Sequence, residues 1–179
     1  MGETARNLFA DAKGLLEQIV EKRLLTAKAV VGFWPANSVG DDIEVYESVD
    51  PVHRQAILHT LRQQMRQGRG KANFALADFI APLACQHVDY IGGFAVCVGF
   101  GLGALVAEFE KNHDDYNAIM ARALADRLAE AFAERMHERV RTELWGYAKN
   151  EAFSKDELIR EQYQGIRPAP VPETQRTAS

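Results

Sequence analysis

From about Asp114 to Leu144 the chain carries apolar residues at spacings of three and four. They are Tyr116, Ile119, Met120, Ala123, Leu124, Leu128, Ala131, Phe132, Met136 and Val140. Such a stripe predicts one long amphipathic helix with a single continuous buried face. At about 1.5 Å per residue it extends about 45 Å, so it should cross the whole domain and the other elements must pack along it. Asp114 and Asp115 open it, where the helix dipole favours negative charge, and Gly146 follows it, where a left-handed residue commonly stops a helix.

The elements around it are shorter. Glu3 to Leu25 reads as a second amphipathic helix through Leu8, Phe9, Ala12, Leu15, Leu16, Ile19 and Val20. Ala29 to Trp34 is β-branched and aromatic and stops at Pro35, as a buried strand would. Asn37 to Asp42 has turn composition, and Ile43 to Tyr46 alternates apolar and polar. That connection is too short for a crossover helix, so the two strands are expected to be antiparallel. His53 to Gln67 suits either a helix or a strand followed by a helical turn, until Gly68 to Gly70 break the chain. Leu76 to Pro82 reads as an ordered loop and Tyr90 to Val98 as a central strand. A last helix should start at Ser154, which is spaced from Glu157 as in a capping box, and end near Gly165. These elements give an α+β architecture: a mostly antiparallel sheet covered by helices, in one domain over residues 1–170. Residues 171–179 hold almost nothing to bury and are expected to form a disordered tail.

Several function classes are excluded at this level. A net charge of −4, with no basic run, argues against nucleic acid as a partner. No stretch approaches the roughly 20 apolar residues of a membrane span, and Arg6 and Asp11 interrupt any signal-peptide core. A cytoplasmic protein with no membrane partner is therefore expected. Cys85 and Cys97 stand twelve apart, unlike a redox pair or a zinc knuckle, and both are expected to be small buried core residues.

Candidate chemistry is sparse. Gly99-Phe-Gly-Leu-Gly103 follows a strand and precedes a helix but lacks the last glycine of a dinucleotide fingerprint, so a tight turn into the helix is the better reading. Glu110, His113, Asp114 and Asp115 resemble a metal cluster on paper, but a carboxylate-rich helix start explains them without a metal and is the better reading. His137-Glu138 begins like a zinc-protease motif, but Arg141 stands where the second histidine belongs. No metal and no catalytic set is expected. Tyr163-Gln-Gly-Ile-Arg167-Pro-Ala-Pro170 turns at Gly165 and then stiffens through two prolines. Two readings stay open for it: a polyproline linker with a solvated arginine, or a rigid ribbon aiming Arg167 at a small ligand's carboxylate.

Ten separated strings decide between broader families. In order they are Val31–Asn37, Gly40–Tyr46, Leu61–Gln64, Leu76–Phe79, Asp89–Gly92, His113–Asn117, Ala123–Phe132, His137–Val140, Trp145–Tyr147 and Gly165–Pro170. Together they resemble the C-terminal activation domain of cobalamin-dependent methionine synthases. The resemblance implies a C-shaped α+β fold around a twisted antiparallel sheet. It also implies binding of S-adenosylmethionine for reductive repair of oxidised cobalamin, a cofactor held by a separate module. Flavodoxin or a similar reductase would be the electron donor. Arg167 and Ala169 match the family's Arg-Pro-Ala contacts to S-adenosylmethionine. Asp126 matches a family acid on the face that docks the cobalamin module.

The resemblance also has gaps. The family continues Arg-Pro-Ala-Pro with Gly-Tyr-Pro, where this chain has Val171-Pro172. A late tyrosine pair and an upstream aspartate that meet the ligand have no counterpart. The chain is accordingly expected to be incomplete at both ends, and the change after Pro170 is what a frameshifted or artificially ended gene would produce. The alternative function is then a fragment that no longer binds ligand, serving only as an interaction module or being a non-functional remnant.

Overall fold

In the computed structural model the described residues are 2–66, 68, 70 and 72–168. They form α1 (Glu3–Glu21), β1 (Thr26–Val39), β2 (Asp42–Tyr46), β3 (Arg54–His59), β4 (Asp89–Phe100), α2 (Leu102–Lys111), α3 (Asp115–Arg139) and α4 (Lys155–Ile159). The strands make one sheet in the order β3-β2-β1-β4. The β1–β2 and β2–β3 pairs are antiparallel, and the sheet with its helices is the expected α+β class. The chain divides into two compact units, one being Ala29–Ala95 and the other the segment before Ala29 together with that from Val96 on.

In the Ala29–Ala95 unit, β1 runs through Pro35 instead of stopping there. Its pairing with β2 begins only at Ala36, opposite Val45, so the missing N–H of Pro35 takes no bond from that ladder. Asn37 and Ser38, read from composition as turn residues, are buried strand residues. The Asn37 side-chain amide donates to the carbonyls of Ala81 (2.9 Å) and His87 (2.7 Å), and the Ser38 hydroxyl to that of Ile80 (3.0 Å). These bonds fasten the 80–87 loop to β1, and the turn to β2 shrinks to Gly40 and Asp41. The ambiguous 53–67 segment resolves, over its described residues 53–66, as β3 followed by irregular chain. Arg62 fixes that chain by forking onto Asp78 (2.7 and 2.8 Å) and bonding Asp41 (2.6 Å). The Arg62 bonds, then the Ala75 N–H, hold the Asp78 carboxyl down at about 2. Ala36, Ile43, Ala75 and Ala77 form the core here, with Ile80 and Ile91 against it.

β4 lies at a sheet edge rather than the centre. Both cysteines are exposed, against expectation. Cys97 alternates with buried Val98 along β4, so it faces out. Cys85 ends a 3₁₀ turn, Leu83–Cys85, that buries none of its residues.

In the other unit α1, α2 and α3 pack around Leu15, Ile19, Leu105, Val106, Ala118, Met120 and Ala121. The long helix exists as predicted, and Met120, Met136 and Val140 of its expected face are buried, but the face is shifted near the start of the helix. Ala118, Ala121 and Ala125 are buried while Tyr116 and Ile119 are exposed. Alanine lets neighbouring helices approach more closely than larger side chains do, which favours that face. Likewise only Leu15 and Ile19 of α1 are buried. The glycine-rich segment is the predicted tight turn: Gly101 caps α2 at φ +99°, and a Cβ there would run into the Leu24 carbonyl oxygen. The Ser154–Glu157 capping box forms, yet α4 ends at Ile159, well before Gly165, with Glu161 at φ +52°.

Gly101→Ala is expected to lower stability by about 2 kcal/mol or more, since it combines left-handed strain with a backbone collision. Gly103→Ala, where a Cβ meets nothing within 4 Å, should leave stability unchanged or raise it by up to about 1 kcal/mol. Urea unfolding of the two variants checks the pair.

Candidate functional site

Beyond Arg139 the long helix widens into one π turn, Val140–Leu144, closed by the Trp145 N–H on the Val140 carbonyl at 2.9 Å. Such turns are rare and often mark functional regions. Gly146, at φ +75°, then stops the helix as its position in the sequence predicted. The chain folds back, and the Ala148 N–H donates to the Arg141 carbonyl at 2.9 Å. This return brings the Glu151 carboxylate onto the Arg141 guanidinium. Nε donates to Oε2 at 2.8 Å, and Nη2 donates to Oε1.

Both side chains are buried, at 1% and 5% exposure. A charge so buried is tolerated only with a partner and hydrogen bonds. The third nitrogen, Nη1, lies 2.7 Å from His137 Nδ1, one turn back on the same helix face. Arginine can only donate, so Nδ1 accepts and the ring is neutral, with its proton on Nε2. Burial first, then the positive charges of Arg141 and Arg167, push the His137 pKa down to about 4, while Glu151 opposes them.

The segment carrying Arg167 lies against this cluster. Tyr163 places its ring 4.3 Å from the Arg141 guanidinium carbon and meets the His137 ring edge-on, at 4.8 Å between centroids. The Tyr147 hydroxyl donates to the Gln164 carbonyl at 3.3 Å. Gly165 turns at φ +100°, and a Cβ there would stand 3.0 Å from that hydroxyl, so both the turn and the close approach need glycine. Two residues on, the Arg167 Nη2 donates to Glu134 of α3. Its Nε is buried and has no hydrogen-bond partner. Asp126 is exposed on α3, eight residues and about 12 Å along the helix from Glu134 by its rise. Eight residues also rotate Asp126 about 80° around the axis from Glu134. Ala169 lies outside the described residues. A surface pocket of about 390 Å³ borders the same ribbon, its wall including Tyr147, Lys149, Glu151, Phe153, Gln162 and Gln164.

The sequence profile of vitamin B12-dependent methionine synthase, activation domain, matches residues 1–175. The chain belongs to this family. It is also similar to the solved structure of a MetH reactivation domain bound to AdoHcy, at 54% identity and a TM-score of 0.85. That match covers 93% of this chain and 51% of the other, so the chain spans about half that protein's length.

In this activation-domain chain, Arg141, Glu151 and Glu134 were not legible as site-forming residues. Arg141 drew notice only as the residue that spoils a zinc motif. A detectable signal was nonetheless present: His137 and Arg141 are polar residues four apart beside the helix's apolar stripe, and such a pair must find partners. The residues that read as a metal cluster do other work. Asp114 caps α3 by accepting the Asn117 N–H at 3.1 Å, and Glu110 pairs with Arg122 at 2.7 Å. Among the described residues no group of three or more potential ligands could hold a metal ion, and no helix is long and apolar enough to cross a membrane.

The depressed pKa of His137 sets a pH dependence. In the unfolded chain the imidazole takes a proton near its ordinary 6.5, but in the folded protein only near 4. Falling pH therefore favours the unfolded state throughout that window. Stability is expected to be full above about pH 6.5 and to drop steadily toward pH 4, by at most about 1.4 kcal/mol per unit of separation. His137→Gln should flatten the decline, as read from urea midpoints at half-unit pH steps.

Proposed function

We propose that this chain is the S-adenosylmethionine-binding activation module of a cobalamin-dependent methionine synthase, serving reductive methylation of cobalamin that has lost its active state. The observation that carries the reading is the Arg167–Glu134 pair at the edge of α3. A guanidinium and a carboxylate side by side complement the α-carboxylate and α-ammonium of an amino-acid ligand. S-adenosylmethionine and AdoHcy both end in that group, and the relative at 54% identity was solved with AdoHcy.

Without ligand the two charges satisfy each other. With ligand, Arg167 takes the carboxylate and Glu134 faces the ammonium, and the family motif implies a further ligand contact at Ala169. The bound ligand supplies the methyl group; the chain supplies binding and orientation. Cobalamin is held by a separate module of the synthase, and exposed Asp126 offers that module a carboxylate on α3. Flavodoxin or a similar reductase delivers the electron.

Titration calorimetry with S-adenosylmethionine is expected to give a micromolar Kd. Arg167→Ala should weaken it by about 10- to 100-fold, the loss of a charged hydrogen-bond pair. Glu134→Gln should weaken it by about tenfold; tighter binding in that variant would mean that Glu134 competes for Arg167 rather than recognising the ammonium. No heat at millimolar ligand, from a folded sample, would leave the chain a docking fragment.

A further inference from the structure

Arg167 sits in a stretch without regular secondary structure, since α4 ends at Ile159. Such a segment loses binding strength to conformational freedom unless something fixes it beforehand. Within four residues of Arg167 the structure supplies three fastenings. They are Tyr163 on the Arg141 guanidinium, the Tyr147 hydroxyl on the Gln164 carbonyl, and the Gly165 turn packed on Tyr147. Arg141 is the immobile part. It is 1% exposed, its Nε and Nη2 are spent on Glu151, and its Nη1 is spent on His137. Its guanidinium plane is thereby fixed, and that plane carries the Tyr163 ring.

We propose that the stacked His137, Arg141 and Tyr163 side chains position Arg167, presenting its guanidinium already aimed at the ligand's carboxylate, and that they do so only while His137 is neutral. The inference rests on Arg167 being the carboxylate anchor. None of the three touches the ligand; each acts through the ribbon. The requirement for a neutral ring follows from the hydrogen bond. His137 Nδ1 accepts from Arg141 Nη1, so a second ring proton sets donor against donor and cation beside cation. The charged groups facing that ring are Arg141 on its own helix, Arg167 on the ribbon, and Glu151, whose carboxylate is already committed to Arg141. Tyr163 adds an uncharged ring. Protonation therefore has no free anion to receive it, and the stack opens.

The test follows AdoHcy affinity by calorimetry from about pH 3.5 to 7, together with hydrogen exchange of the 160–167 amides at pH 7. It uses the full chain as wild type, Tyr163→Phe, Tyr163→Leu and His137→Gln. Tyr163→Phe keeps the ring and should stay within about threefold of wild type, whereas Tyr163→Leu should weaken binding by about tenfold. In Tyr163→Leu, faster exchange should be confined to 160–167. Wild-type affinity should hold down to about pH 5 and fall as pH drops through 4, where His137 takes its second ring proton in the folded protein, and His137→Gln should remove that fall. Wild-type affinity and exchange in Tyr163→Leu, or an unchanged pH profile in His137→Gln, would overturn the proposal. Failure of the wild type to bind would instead overturn the ligand reading of Arg167. The exchange arm then decides the stack alone: acceleration within 160–167 supports it, and none refutes it.

Discussion

A guanidinium buried at the end of a 25-residue helix is a large electrostatic demand, and the C-terminal part of this chain is arranged to meet it. Removing one partner from such a pair costs about 3–5 kcal/mol, whereas a cation–π contact contributes about 0.5–2 kcal/mol. The Arg141–Glu151 pair therefore decides where the returning chain sits, and Tyr163 refines the fit. Glu151 can reach Arg141 only because the helix opens into a π turn at Val140 and stops at Gly146. Once that return is fixed, Tyr147 is in place to receive Gln164 and Gly165.

Function follows from what this anchoring leaves at the surface. Arg141 has all three of its nitrogens engaged by Glu151 and His137, while Arg167 is paired with one exposed carboxylate. One arginine is a foundation and the other an instrument. An ion pair on the protein surface contributes little stability, so opening Arg167–Glu134 for a ligand's two charges costs little. The same exchange at Arg141 and Glu151 would expose a buried charge. The site also shares α3 with Asp126, so ligand and docking partner would be set by one rigid element, with about 12 Å between them along its axis.

Much of this was legible in the sequence, and the failures have identifiable physics. Periodicity located α1 and α3, but side-chain size misled it. Ile119 weighs more than Ala118 in any apolar count, yet helices pack where small residues permit. Strand ends were misplaced for a related reason: Pro35 and Asn37 are breakers by composition, and only the partial ladder of β1 and the carbonyls of the 80–87 loop make them strand residues. Arg167 was found through the stiffness of its own segment and a family resemblance. The Arg141–Glu151–His137 cluster was not found, because its members lie 4 and 10 residues apart and have meaning only once the chain turns back.

The most direct measurement is the side-chain Nε–H resonance of Arg167 by ¹⁵N NMR, assigned by its loss in Arg167→Lys, during titration with S-adenosylmethionine and separately with adenosine. The account predicts a large, saturable shift with S-adenosylmethionine and none with adenosine, which lacks the amino-acid end. A resonance that stays fixed while the ligand demonstrably binds would contradict Arg167 as the carboxylate anchor.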